Sequence, residues 1–256
     1  MTALPDFSLE GRTALVTGAA RGLGHAIALA LANAGADVAL GLRDKRSGDT
    51  LSAEIEKLGR RALPLQMDIA KIGEISAAAE QAISHFGQID ILVNNVGVGP
   101  EGPVENVSEA EFDETLAVNL KGTFFTSTTV GRHMIARGYG RIVNMGSQAG
   151  LVALPGEAVY CMTKAAISHL TKCMAVEWGR HNITVNAVAP TFIATPGTAP
   201  ALSNDAFRAD VIERIAALHR IGEPVDVAGA VVFLASPAAA MITGHTMVID
   251  GGWTAR

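Results

Sequence analysis

Ser147, Tyr160 and Lys164 are the residues whose types and spacing could move a proton. Tyr160 and Lys164 stand at i and i+4, so on a helix their side chains share one face. A phenol is a poor base in water, with an ordinary pKa of about 10. An ammonium beside it favours the phenolate and brings it towards the working range of a general acid or base. Ser147, thirteen residues before the tyrosine, could hold a substrate oxygen while the phenol exchanges its proton. That equipment interconverts an alcohol and a ketone, provided another group carries the hydride. A Tyr-x-x-x-Lys alone also describes a half-buried tyrosine beside a surface lysine, so the carrier must be found elsewhere in the chain.

The stretch Thr17-Gly18-Ala19-Ala20-Arg21-Gly22-Leu23-Gly24 offers a place for one. It falls between the first predicted strand (12–17) and the first predicted helix (25–34). Glycines there let the backbone turn tightly and approach a pyrophosphate, which the free N–H groups and dipole of the helix N-terminus attract. The spacing is Gly-x-x-x-Gly-x-Gly rather than the commoner Gly-x-Gly-x-x-Gly, and an ordinary glycine-rich turn is the competing reading.

The elements that must position these groups alternate along the chain. Apolar runs predict further strands at 38–42, 62–66, 89–93, 141–145, 183–188 and 247–249. Helical patterns lie between them at 48–58, 71–86, 108–137 with a break, 158–178 and 225–235, with Ser108 and Glu111 forming a capping box. The stretch 190–224, with its four prolines, reads as a loop-rich insertion. Such alternation predicts an α/β fold, a single-domain (1–256) Rossmann-like doubly wound parallel sheet of about seven strands with helices on both faces. In such sheets ligands bind beyond the carboxyl ends of the strands, where strand order reverses. Gly18–Gly24, Asp68, Asn94–Gly97, Ser147 and Pro190–Thr195 all follow strand ends and would share that rim.

Composition excludes several other classes. At 256 residues and 49% hydrophobic content the chain can bury one large core. A net charge of −5 and the absence of a basic run argue against nucleic acid as a partner. No apolar run reaches the roughly 18 residues of a membrane span, and the acidic N-terminal stretch does not read as a secretory signal. Cys161 and Cys173 fall in one predicted helix, about 18 Å apart along its axis, and read as buried thiols in a reducing cytoplasm. The histidines show no metal-ligand spacing, so no catalytic metal is expected.

The glycine turn, Asn94-Asn95-x-Gly97, Asn119, Ser147, Tyr160-x-x-x-Lys164 and Pro190 recur in this order at the separations of one family. From about Leu9 to Gly252 the chain resembles the short-chain dehydrogenases/reductases. The resemblance implies an NAD(P)-binding Rossmann fold with Tyr160 as acid/base and Lys164 binding the nicotinamide ribose and lowering the tyrosine's pKa. It implies that Ser147 polarises the substrate carbonyl and that Asn119 anchors a water behind Lys164, unless its side chain is simply tied to backbone. By the same resemblance Gly18, Arg21, Gly22, Leu23, Gly24, Arg43, Asp68, Ile69, Asn95, Gly97, Pro190, Ile193 and Thr195 belong to the cofactor side. It further implies a homotetramer, and the helices around 112–137 and 158–178 are apolar on more than one face. Two departures from the family pattern are Val96 for alanine and Thr191 for the glycine after Pro190.

An acidic residue at the end of the second strand normally holds the ribose hydroxyls of NAD. The matching position here is Leu42, followed by Arg43, with Arg21 in the glycine turn. Two guanidiniums and no carboxylate there favour NADP, with NAD the alternative because Asp44 comes next and could fold back. Ser147, Gln148, Glu157 and Tyr160 are the substrate-side candidates. Glu157 could accept hydrogen bonds from a polyhydroxylated substrate, or be a helix-start charge in solvent. The segment 189–196 resembles that of gluconate and sugar-alcohol dehydrogenases of the family, which implies a secondary hydroxyl on a sugar acid, sugar or polyol. Two alternatives stand beside it: reduction of a 3-oxoacyl thioester on a carrier protein, and a non-catalytic dinucleotide-binding regulatory module.

Overall fold

The computed structural model describes residues 4–255. Met1–Ala3 and Arg256, part of the domain expected over 1–256, lie outside the described residues. Seven strands pair in parallel: β1 (Thr13–Thr17), β2 (Asp37–Leu42), β3 (Ala62–Gln66), β4 (Ile91–Asn94), β5 (Gly140–Met145), β6 (Ile183–Pro190) and β7 (Thr246–Ile249). Their order across the sheet is β3-β2-β1-β4-β5-β6-β7. The order reverses between β1 and β4, which opens the ligand crevice there.

Both faces of the sheet are covered, and the pleat sorts the core into two. Ala14, Val16, Val38 and Leu40 pack with helices α1 (Gly22–Asn33), α2 (Asp49–Lys57) and α9 (Pro224–Ala235). Their alternates Leu15 and Ala39 face α3 (Ile72–Phe86), α5 (Thr123–Arg137) and α6 (Ala158–Trp178). The central strands β1, β2, β4, β5 and β6 are buried along their whole length, as expected for strands covered on both sides. Asn94 and Asn144 are an exception in this apolar layer, and each is satisfied: the Asn94 amide donates to Ser127 and to Asn144, and Asn144 donates to Thr171.

The expected break between 108 and 137 has a definite form. Helix α4 (Glu109–Leu116), capped by Ser108 and Glu111, runs through a π-helical turn at Ala117–Gly122 into α5. A π turn shifts the register and re-aims its side chains, and Asn119 lies inside it.

The loop-rich stretch 190–224 also folds two short helices, α7 (Ala199–Leu202) and α8 (Asp205–Arg214), and the expectation of buried thiols is corrected. Pro200 sits in the first turn of α7, where its missing N–H costs nothing, and Asn204 caps α8 by accepting from the Phe207 N–H. Cys161 is only half-buried and Cys173 is exposed. Both fall off the buried stripe of α6, which runs through Val159, Thr163, Ile167, Thr171 and Met174. Among the described residues no helix is long and apolar enough to cross a membrane.

Candidate active site

Three elements bring the proton-moving residues to one point on the rim. Strand β5 ends at Met145 and delivers Ser147, which is almost fully buried. Helix α6 presents Tyr160 in its first turn and Lys164 one turn later. The Lys164 ammonium is buried and donates to the Met145 carbonyl at 2.7 Å, which pins α6 to the end of β5. The same ammonium lies 5.4 Å from the centre of the Tyr160 ring.

Asn119 reaches this group from the π turn. Its Oδ1 accepts from the Val98 N–H at 2.9 Å, while its Nδ2 donates to the Val98 carbonyl and to Thr163 Oγ1. The side chain therefore straps the loop after β4 through the Val98 backbone and ties it to α6 through Thr163. Gly97, in that loop, passes over the lysine: a Cβ there would lie 3.1 Å from Lys164 Nζ. A Cβ on Gly99 would lie 2.8 Å from the Cβ of Tyr160. Thr163, the Met145 carbonyl and Gly99 were not legible as site residues, since each acts through a long-range contact with no local signature.

Burial moves the two titrating groups in opposite directions. It pushes the Tyr160 phenol up to about 12, opposed by a hydrogen bond with Ser147 and reinforced by the negative charge of Glu157. It pushes the Lys164 ammonium down to about 8. The lysine was expected to lower the phenol. Burial is instead the dominant influence, and the hydrogen bond with Ser147 is what opposes it. Ser147 Oγ donates to Gln148 Oε1 at 3.0 Å and accepts from the Ala149 N–H. Glu157 is half-buried at the start of α6, and its carboxylate caps no helix N–H. Burial and the charge of Glu101 hold it above the usual carboxylate range.

The residues present fit a dinucleotide. Gly18 and Gly22 adopt left-handed φ values of +67° and +57°, which favour glycine. A Cβ on Gly24 would collide with the Gly18 carbonyl and lie 2.7 Å from Asn95 Nδ2. Arg21 precedes α1 in extended conformation without a side-chain cap, so the first N–H groups of that helix are open to an anion. Asn95 fixes the wall of this cradle by donating to the Thr17 carbonyl at 3.0 Å. Across from it, Thr195 and Pro196 stand over Gly22.

The other expected cofactor residues have their side chains engaged within the protein or exposed to solvent. Leu23 packs against the core, Ile69 is buried beneath Gly122 and Ile193 is buried against Gly222. Pro190 ends β6 inside the sheet. Asp68 accepts from the Ala70 N–H and pairs with Lys71 at the end of β3. Thr191 keeps an ordinary negative φ, so this turn works without the family glycine. Leu42 is buried, and Arg43 and Arg21 are exposed. Asp44 does not fold back. Its carboxylate is gripped by Arg46 through contacts of 2.7 to 3.2 Å, which hold it down at about 2.

Comparisons with known proteins place the chain among relatives of known name. The family profile described as Enoyl-(Acyl carrier protein) reductase matches residues 18–254. D-threitol dehydrogenase of Mycolicibacterium smegmatis is 41% identical over 251 residues, covering 98% of this chain and 96% of that one. A 3-oxoacyl-(acyl-carrier-protein) reductase of Staphylococcus epidermidis is 40% identical over 94% of this chain and 98% of its own. Among solved structures, a gluconate 5-dehydrogenase from Burkholderia cenocepacia in complex with NADP and tartrate superposes with a TM-score of 0.94. It is 35% identical and 98% of each chain is covered.

The buried ammonium has a consequence for stability. Lys164 falls from an ordinary 10.5 to about 8 on folding, so between these values the unfolded chain binds the extra proton. This lysine's penalty is complete below about 8 and is relieved as pH rises towards 10.5. Denaturant unfolding of the wild type and Lys164→Met should show their stability difference shifting in favour of the wild type across that window. A difference independent of pH would mean that Lys164 is not buried as a charge.

Proposed function

This chain belongs to the short-chain dehydrogenase/reductase family, and we propose that within it the protein interconverts a secondary alcohol and a ketone on a sugar acid, sugar or polyol. It is an NAD(P)-dependent oxidoreductase acting on CH–OH groups. The observation that carries the site assignment is the meeting of Ser147, Tyr160 and Lys164 beside the glycine cradle at the strand-order reversal. The substrate class follows the relatives named for threitol and gluconate.

In this reading Tyr160 takes the proton from the substrate hydroxyl, or returns it to the ketone oxygen. Ser147 Oγ holds that oxygen. A nicotinamide held by the glycine cradle and Lys164 would supply the hydride acceptor or donor. Lys164 keeps an ammonium beside the phenol and, anchored by Met145, also holds the ribose of the cofactor. Asn119 is a positioning residue, because it fixes the Val98 backbone and so keeps Gly97 over the lysine. Gln148 orients Ser147. We read residues 1–256 as one dinucleotide-binding domain whose 190–224 stretch covers the substrate.

NADP is the preferred cofactor on this reading. Leu42 is buried and Asp44 is held by Arg46, which leaves Arg43 exposed at the end of β2 with no carboxylate to repel a 2′-phosphate. The reductase alternative keeps one supporting observation, the exposed Arg132 in α5, a position where carrier-protein reductases dock their partner. A second such position is Val176, which is 85% exposed and offers no charge. A purely regulatory module would not need the phenol and ammonium together.

We also propose a homotetramer in the cytoplasm. Phe112, Met162 and Phe124 leave apolar surface on α4, α6 and α5, lining two clefts of about 380 Å³ each. The two free thiols suit a reducing compartment.

Three outcomes test the reading. Tyr160→Phe should lower kcat by about 10³-fold while dinucleotide affinity is retained, and a variant with near-normal turnover removes Tyr160 from the chemistry. NADPH should bind at least about tenfold tighter than NADH, roughly 1.4 kcal/mol, with the gap narrowing in salt and collapsing in Arg43→Ala. Tighter NADH binding overturns the cofactor assignment. Light scattering should give the tetramer mass, and a monomer mass refutes the assembly.

A further inference from the structure

The mouth of the catalytic centre carries two carboxylates and no cation. Glu157 begins α6 three residues before Tyr160, half-buried, and its carboxylate has no hydrogen-bond or ion partner among the described residues. A helix-start carboxylate in solvent would be free to cap its helix, and this one does not. Glu101 lies in the loop that follows β4. The loop is fastened at the neighbouring residue, where the Gly102 N–H donates to the Gly156 carbonyl at 2.9 Å. One carboxylate thus precedes the fastening and the other follows it. Gly99, in the same loop, rests on the Tyr160 side chain, so the loop that carries Glu101 passes beside the phenol. The field between these groups is felt on both sides. After burial, Glu101 is what raises Glu157, and Glu157 adds to the cost of ionising Tyr160.

Nothing nearby balances the charge. The segments around the mouth, 98–103, 148–157 and 191–204, contain no lysine, arginine or histidine. Lys164 keeps its positive charge beside the phenol, but it is buried and donates to the Met145 carbonyl, so it does not stand exposed at the mouth to receive a carboxylate. Arg208, His219 and Arg220 line a separate cavity of about 870 Å³ with Thr195 and Pro196, to which Ser147, Gln148, Glu157 and Tyr160 do not contribute. Arg220 is moreover paired with Asp226.

Resting on the reading of this site as a dehydrogenase of polyhydroxylated substrates, we infer that Glu157, backed by Glu101, is a specificity determinant that admits neutral polyols and ketoses and turns away their carboxylate-bearing analogues. A half-buried carboxylate without a donor is an acceptor-only group, matched by the hydroxyls of a polyol. A sugar acid would add a third negative charge where recognition of a carboxylate needs an arginine or lysine. Of the substrate classes open to the family site, this leaves the neutral one.

The test uses the loaded enzyme at saturating dinucleotide, with alditols and aldonates matched carbon for carbon. Wild type should oxidise the alditol with a kcat/KM at least about tenfold above that of its aldonate, and the ratio should shrink with ionic strength. Glu101→Gln/Glu157→Gln should raise kcat/KM for the aldonate, chiefly through KM, and weaken the alditol. A gain on the acid is a result that damage to the fold cannot produce. Equal or better turnover of aldonates by the wild type, or an unchanged ratio in the double variant, overturns the inference and leaves the dehydrogenase reading intact. Turnover of a 3-oxoacyl thioester with neither sugar series accepted overturns both.

Discussion

A buried ammonium on a backbone carbonyl holds the rim of this molecule together. Lys164 crosses from α6 to Met145 at the end of β5, and the hydrogen bond fixes the helix that carries Tyr160 against the strand that delivers Ser147. Gly97 must lack a side chain to pass over the ammonium. Gly150 must lack one because a Cβ there would lie 2.7 Å from the Lys164 backbone. Asn119 then holds the Gly97 loop in place through Val98, and its aim comes from the π turn. The chain of dependence runs from one charge to one turn of helix.

The same burial sets the electrostatic problem that the site must solve. Removing water makes both the phenolate and the ammonium costly, which raises Tyr160 to about 12 and lowers Lys164 to about 8. At neutral pH the lysine still holds its proton, so a positive charge remains available beside the phenol. Glu157 works against ionisation from the other side. In the proposed mechanism this balance holds Tyr160 as a phenol that can give its proton to a ketone oxygen, with the Lys164 charge beside it to support the phenolate.

Much of this was legible in the sequence because it is local or periodic. The strand–helix alternation, the i and i+4 pairing of Tyr160 and Lys164 and the glycine turn before α1 all leave short-range marks, whereas the place of the break within 108–137 does not. What escaped depends on contacts between distant segments. Glu101 carries no local sign that Gly102 will be bonded to Gly156 and so bring it beside Glu157. The prolines of 190–224 look like loop punctuation, yet Pro200 starts a helix. Cys161 and Cys173 look like core residues until the buried stripe of α6 is located by packing. Asp44 could have served a ribose, and its capture by Arg46 is a matter of side-chain geometry.

The central claim is that Lys164, with a dinucleotide in place, brings down a phenol that burial and the charge of Glu157 hold up. Tyr139 and Tyr160 are the only tyrosines, so tyrosinate absorbance can follow each of them. The measurement is an ultraviolet titration of the enzyme saturated with oxidised dinucleotide. The account predicts that one tyrosine ionises below its ordinary value of about 10, that Tyr160→Phe abolishes this step and that Lys164→Met moves it upward. Both tyrosines titrating at or above the ordinary value in the loaded enzyme would contradict it.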